Sequence, residues 1–182
     1  MRLPQIARMP RAQQGAVLVI SLILLLVMTV LGLAAMQITR MQERMAGNLR
    51  DSNVAFQGAE AGLRDAENRL RLMVARPDTC AAAPCAIPSV YERNVLPPNL
   101  RNQTSVWWAN NAQEYGVDGV QEIQQATEDP RVAIEDAGFI PDSLTVGHAP
   151  PEGRNFYRIT GYSTGATGTA QAVLESTYTR RF

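Results

Sequence analysis

The side chains that could carry covalent or metal chemistry are sparse: one histidine, His148, and two cysteines, Cys80 and Cys85, among 182 residues. Zinc sites and histidine-assisted nucleophiles need several such groups brought together. One imidazole and two thiols do not supply them, and the chain has no Ser, His and acid constellation and no phosphate-binding glycine loop. Four residues separate Cys80 from Cys85, whereas a redox C-x-x-C motif has two. Asp118-Gly119 has the ending of a calcium loop without the other acids of a D-x-D-x-D-G pattern, and reads as a turn. Trp107-Trp108 either anchors a partner or sends one ring into a core and the other outward; the second is the favoured reading. His148, beside Pro150-Pro151, reads as solvated. These residues point away from an enzyme, with no cofactor and no metal.

The elements that must position them begin with an uncharged run, residues 16–36, apolar on every face. As an α-helix it spans roughly 31 Å, the thickness of a bilayer's hydrocarbon core. Three readings compete: a cleaved secretory signal, a permanent anchor, or a signal-anchor trimmed on its cytoplasmic side. Arg2, Arg8 and Arg11 form a basic leader and Gly32-Leu33-Ala34 offers a small-x-small site, but the run exceeds the usual h-region of about 7 to 15 residues. Arg40, Arg44 and Arg50 flank the far end, so the positive charges nearly tie on orientation. Over the whole chain seventeen arginines, without a lysine, balance seventeen acids. That zero net charge removes the global argument for nucleic-acid binding.

Beyond the run, Met41, Met45, Leu49, Ser52, Phe56, Ala59, Leu63, Ala66, Leu70 and Met73 recur at steps of three and four, one face of an α-helix. Glu60 with Arg64, Asp65 with Arg69 and Glu67 with Arg71 stand at i,i+4 with the acid first, the favourable order for exposed pairs. Pro77 ends the pattern, so one helix is expected over residues 16–76. Gly47, Gly58 and Gly62 and the small residues of the seam favour packing on a sheet over a free-standing coiled coil.

This part of the chain resembles type IV pilin-like proteins, and among them the minor pilins of the PilX group. The resemblance is carried by Gln13-Gln14-Gly15 closing a short basic leader, by the apolar helix starting at Ala16, and by two stretches. These are Met45-Ala46-Gly47-Asn48-Leu49-Arg50-Asp51 and residues 55–67, AFQGAEAGLRDAE. It implies cleavage by a prepilin peptidase after Gly15, with N-methylation of Ala16. It also implies four segments: a cytoplasmic leader (1–15), a transmembrane helix (16–36), its amphipathic continuation (37–76) and a periplasmic head (77–182). The implied fold is α+β, a long N-terminal helix packed on an antiparallel β-sheet. One departure stands out. Most pilins carry a glutamate at the fifth mature position, thought to pair with a neighbouring subunit's methylated amine, and here that position is Ile20. An unpaired buried charge costs several kcal/mol; Ile20 cannot offset it, and otherwise serves as one more lipid-facing residue. Similar glutamate-lacking proteins are placed at the filament tip. The implied partners are other minor pilins and the major pilin, a tip-associated adhesin, the prepilin peptidase and the inner-membrane assembly platform, with no nucleic acid.

In a periplasmic segment Cys80 and Cys85 read most simply as a disulfide, worth roughly 2 kcal/mol for so short a loop, with free or intermolecular thiols the alternatives. Pro88, Pro97, Pro98, Pro130, Pro141, Pro150 and Pro151 divide the middle into short pieces. A strand is expected at 131–134 and a short helix at 119–127. Residues 156–162 and 169–179, rich in Tyr, Thr, Ile and Val and separated by a turn-forming cluster, predict an antiparallel hairpin. Ala172, Leu174, Ser176 and Tyr178 would form its drier face. The expected function is a minor pilin that helps initiate type IV pilus assembly in a tip complex, supporting twitching motility and adhesion. Its rivals are a minor pseudopilin of a type II secretion system and a membrane-anchored periplasmic binding module.

Overall fold

The computed structural model describes residues 15–82, 90–116, 120–142 and 152–182. The expectations for the basic leader, Cys85, Pro88, Asp118-Gly119, His148 and Pro150-Pro151 lie outside these residues. One helix, α1 (Ala16–Leu72), opens the described chain. The chain divides into two compact units, the second beginning at Gly47. In the first unit every described residue is exposed, the apolar ones included.

In the second unit, α1 packs on a six-stranded sheet. Its strands are β1 (Thr79–Cys80), β2 (Val90–Tyr91), β3 (Gln113–Glu114), β4 (Arg131–Pro141), β5 (Gly153–Thr164) and β6 (Gln171–Arg180). They lie in the order β1-β2-β4-β5-β6, with β3 on β4. The predicted hairpin is β5 with β6, paired without a break from Thr164↔Gln171 to Asn155↔Arg180. The sheet is mixed, not wholly antiparallel as expected, because β1 runs parallel to β2 and β2 parallel to β4. Parallel neighbours need a crossover. The segment between β2 and β4 supplies one, carrying a 3-10 turn (Leu100–Asn102), a short helix α2 (Ser105–Asn111) and β3.

Alternation along the strands sends side chains into two cores. On the α1 side Leu63, Ala66 and Leu70 meet Val90, Val132, Ile134, Tyr157 and Ile159. On the other side Trp108 lies with Tyr91, Leu96, Leu100, Ala133 and Tyr162. Trp108 is fully buried and stacks on Tyr162 at 5.1 Å, while Trp107 packs edge-on and only partly buried. This is the division expected of the pair. Full burial of such side chains contributes about 1.5–3 kcal/mol each.

The α1 face of β5 is graded in size: Tyr157, Ile159, Gly161, Ser163. Facing it, α1 runs from Leu70 down through Leu63 and Ala59 to Gly58. Toward its small end the backbones come close. A Cβ on Gly161 would sit 2.9 Å from the Ala59 carbonyl oxygen, and one on Gly58 would sit 2.3 Å from the Ser163 Oγ. The glycines that weaken α1 as an isolated helix therefore let it seat against the strand.

Three expectations are corrected. First, the buried face of α1 is Asp51, Ala55, Gly58, Ala59, Gly62, Leu63, Ala66 and Leu70, so that Ser52 and Phe56 of the predicted seam turn outward. Second, α1 ends at Leu72 and not at residue 76. The Arg180 guanidinium donates to the Leu70 and Met73 carbonyls, satisfying acceptors the last turn leaves open. Third, residues 120–127 form no helix. The buried Asp129 carboxylate accepts the Glu122 and Ile123 N–H groups, both at 2.8 Å, and this side-chain capping holds a turn instead. The strand expected at 131–134 is real but longer, reaching Pro141 through a bulge between Asp136 and Gly138.

Candidate functional site

Gly15 stands immediately before α1, and Ala16 is its first residue. An α-helix leaves its first N–H groups unsatisfied and carries partial positive charge there. The first turn holds no acidic side chain to answer it. Ile20 lies one turn in and is 57% exposed, among exposed Val17, Leu18, Ile23 and Leu24. The three residues thus combine a small-residue junction, a helix start and an apolar surface with no carboxylate. Of the other expected site residues, Cys80 ends β1 with its Sγ 3.0 Å from the Ala82 carbonyl, and Cys85 lies outside the described residues.

In the second unit, Asp51 lies on the buried face of α1. Its carboxylate accepts the Thr167 hydroxyl at 2.6 Å, the Thr167 N–H at 2.9 Å and the Ala170 N–H at 3.2 Å, all from the β5–β6 turn. The Thr167 hydroxyl, followed by the backbone N–H groups, holds this carboxyl below its ordinary value of 3.8. Gly165 makes the approach possible, since a Cβ there would lie 2.4 Å from Asp51 Oδ1. Farther along, Glu67 accepts the Ser176 hydroxyl at 2.7 Å and does not form the expected pair with Arg71, which donates to Asn68 instead. The other two predicted pairs, Glu60 with Arg64 and Asp65 with Arg69, are formed. With Arg180 on the last turn, α1 is joined at three levels to β6 and the turn that leads into it. From Asp51 on α1 to Met73 just past its end, and from Ala170 to Arg180 beside it, both spans come to roughly 33 Å. The two elements therefore run side by side in the same direction.

The sequence reading missed this joining. Asp51 closes the stretch of residues 45–51, but nothing local in the sequence shows that an acid four residues before Ala55 turns inward. It also missed Glu135, buried on β4, which accepts from Arg158 and from the Asn94 N–H at 2.6 Å. Arg76 donates to Asp136 at 2.6 Å, and that contact raises its pKa. Burial pushes the Tyr157 and Tyr162 hydroxyls up. A groove of about 450 Å³ in the second unit is lined by Gln57, Glu60, Arg64, Asp65, Asn68 and Tyr115 along α1. Its charges are taken up in the helix's own ion pairs. No group of three His, Cys, Asp or Glu among the described residues could hold a metal ion.

A long N-terminal helix, apolar through its first part and packed on a sheet through its last, defines a pilin-like α+β protein. Its apolar part fits a membrane anchor by length and composition. Residues 14–64 match the PilX N-terminal family and residues 71–180 match the family described as type IV pilus assembly protein PilX, C-terminal. The chain belongs to the PilX family of type IV pilus assembly proteins, and membership implies interaction with other pilus components. No curated protein and no solved structure matches it.

Proposed function

We propose that the protein is a minor pilin that helps initiate type IV pilus assembly from the filament tip, supporting twitching motility and adhesion. The observation that carries this reading is Ile20, an exposed apolar residue where most pilins have the subunit-pairing glutamate, on a helix with no acid in its first turn. Such a subunit offers its own Ala16 amine to a neighbour's carboxylate but receives none, so it stacks below nothing. In this reading a prepilin peptidase cuts after Gly15 and Ala16 is N-methylated. Residues 16–36 stay in the inner membrane before assembly, and the head faces the periplasm, where Cys80 pairs with Cys85. No described cysteine is free, which supports the pairing. Other minor pilins, the major pilin, a tip-associated adhesin and the assembly platform are the partners. Immunogold labelling of sheared pili tests the proposal. Label confined to filament ends is expected, and label spread along the shafts overturns it. Mass spectrometry of the mature protein should find a methylated N-terminal Ala16.

A further inference from the structure

The sheet has one long free edge. β6 closes the strand order, its ten residues pair with β5 on one side, and among the described residues nothing pairs with its other side. The opposite end of the order is β1, two residues long. Exposed edges are ordinarily blunted by proline, lysine, a bulge or a covering element. β6 has no proline or lysine, and its ladder with β5 runs without a register shift. Its exposed residues are Gln171, Glu175, Thr177 and Thr179, of which one is charged.

An apolar residue borders this edge. Phe56 is 50% exposed and lies about three turns of α1 before Glu67, hence on the same helix face. Glu67 bonds Ser176 of β6, so that face is the β6 side of α1.

We infer that β6 receives an extended strand from a different polypeptide, with polar side chains on the Glu175 and Thr177 side and an apolar one over Phe56. Main-chain hydrogen bonds would supply affinity and the alternating side chains specificity, as in β-strand addition. A second copy of this chain does not suit the edge. α1 and β6 run the same way, and each apolar segment joins its head at Gly47. An antiparallel β6 pair would place the two Gly47 entry points at opposite ends, which chains rooted in one membrane do not allow. A parallel pair about a two-fold axis would set like residues against each other on opposite faces and break the pleat. The inference deepens the proposed role, and rests on it, by stating how the head engages a partner of the assembly.

The test places a photo-crosslinking amino acid in turn at Val173, Glu175 and Thr177 of the full-length chain, in cells that assemble pili. Cross-links at the three positions are expected to fall on residues spaced by two along one segment of another protein, the signature of a paired strand. Phe56→Asp should reduce their yield by about tenfold, the effect of unburying one aromatic side chain. The same ladder on β6 of a second copy would overturn the inference, as would scattered cross-links or none. Either result with pilus-end labelling intact would leave the tip role standing, so the two failures are distinguishable.

Discussion

Asp51 and Thr167 stand 116 residues apart, yet the threonine gives the aspartate carboxylate both its hydroxyl, at 2.6 Å, and its backbone N–H, at 2.9 Å. The pair fastens the β5–β6 turn to the helix at the point where the chain enters its head.

Asp51→Ala should lower the melting temperature of the full chain in detergent, because the Thr167 and Ala170 donors lose their shared acceptor. Asp51→Asn, which keeps one acceptor oxygen, should lower it less. An Asp51→Ala melting temperature equal to the wild type would show the clamp to be without weight.

The same carboxyl sets a pH dependence. Its folded value lies below the ordinary 3.8, so its contribution is fully present above about pH 4 and is lost as pH falls through the folded value. The wild-type advantage over Asp51→Asn is therefore expected to hold from pH 7 to about 4 and to shrink below that. Melting curves recorded over this range check the sign.

Glycine substitutions should act in opposite directions at two positions. Nothing lies within 4 Å of a Cβ on Gly47, so Gly47→Ala should stabilise by about 1 kcal/mol through helix propensity. Gly161→Ala presses a methyl against the Ala59 carbonyl and Leu63, and should destabilise by about 1–3 kcal/mol. Denaturant midpoints of the two variants are the measurement.

Trp108→Ala should cost about 3–5 kcal/mol, since it empties a fully buried site stacked on Tyr162. Trp107→Ala should cost distinctly less. The difference is readable from tryptophan fluorescence during unfolding.

Ile20→Glu restores a carboxylate where the helix has none. If the missing acid keeps the subunit at the tip, immunogold particles should move from filament ends onto the shafts in this variant. Unchanged end labelling would remove Ile20 from the explanation.

Much of this architecture was legible because it repeats. Steps of three and four gave α1, strand alternation gave the β5–β6 hairpin with Leu174 and Tyr178 on its drier face, and the small residues of α1 pointed to a sheet as its support. What did not repeat was missed. β1 and β2 are two residues long, too short to show a period, so their parallel pairing was invisible. Asp51 and Asp129 act through partners chosen by the fold, and a helix or a turn around them reads alike until those partners are in place. The outward turn of Phe56 has the same source: the period of α1 is legible, but the predicted face lies about an eighth of a turn from the buried one, because an inward acid was not anticipated.

The three attachments between α1 and β6 have a mechanical consequence. A pull entering the head at Gly47 along the helix does not open them one after another, as it would if the elements diverged. Asp51, Glu67 and the Arg180 bonds to the last turn lie along two elements that run side by side, so they are loaded in shear and share the tension. A unit built this way resists withdrawal of the Asp51–Leu72 part of α1 most strongly along that helix's own axis.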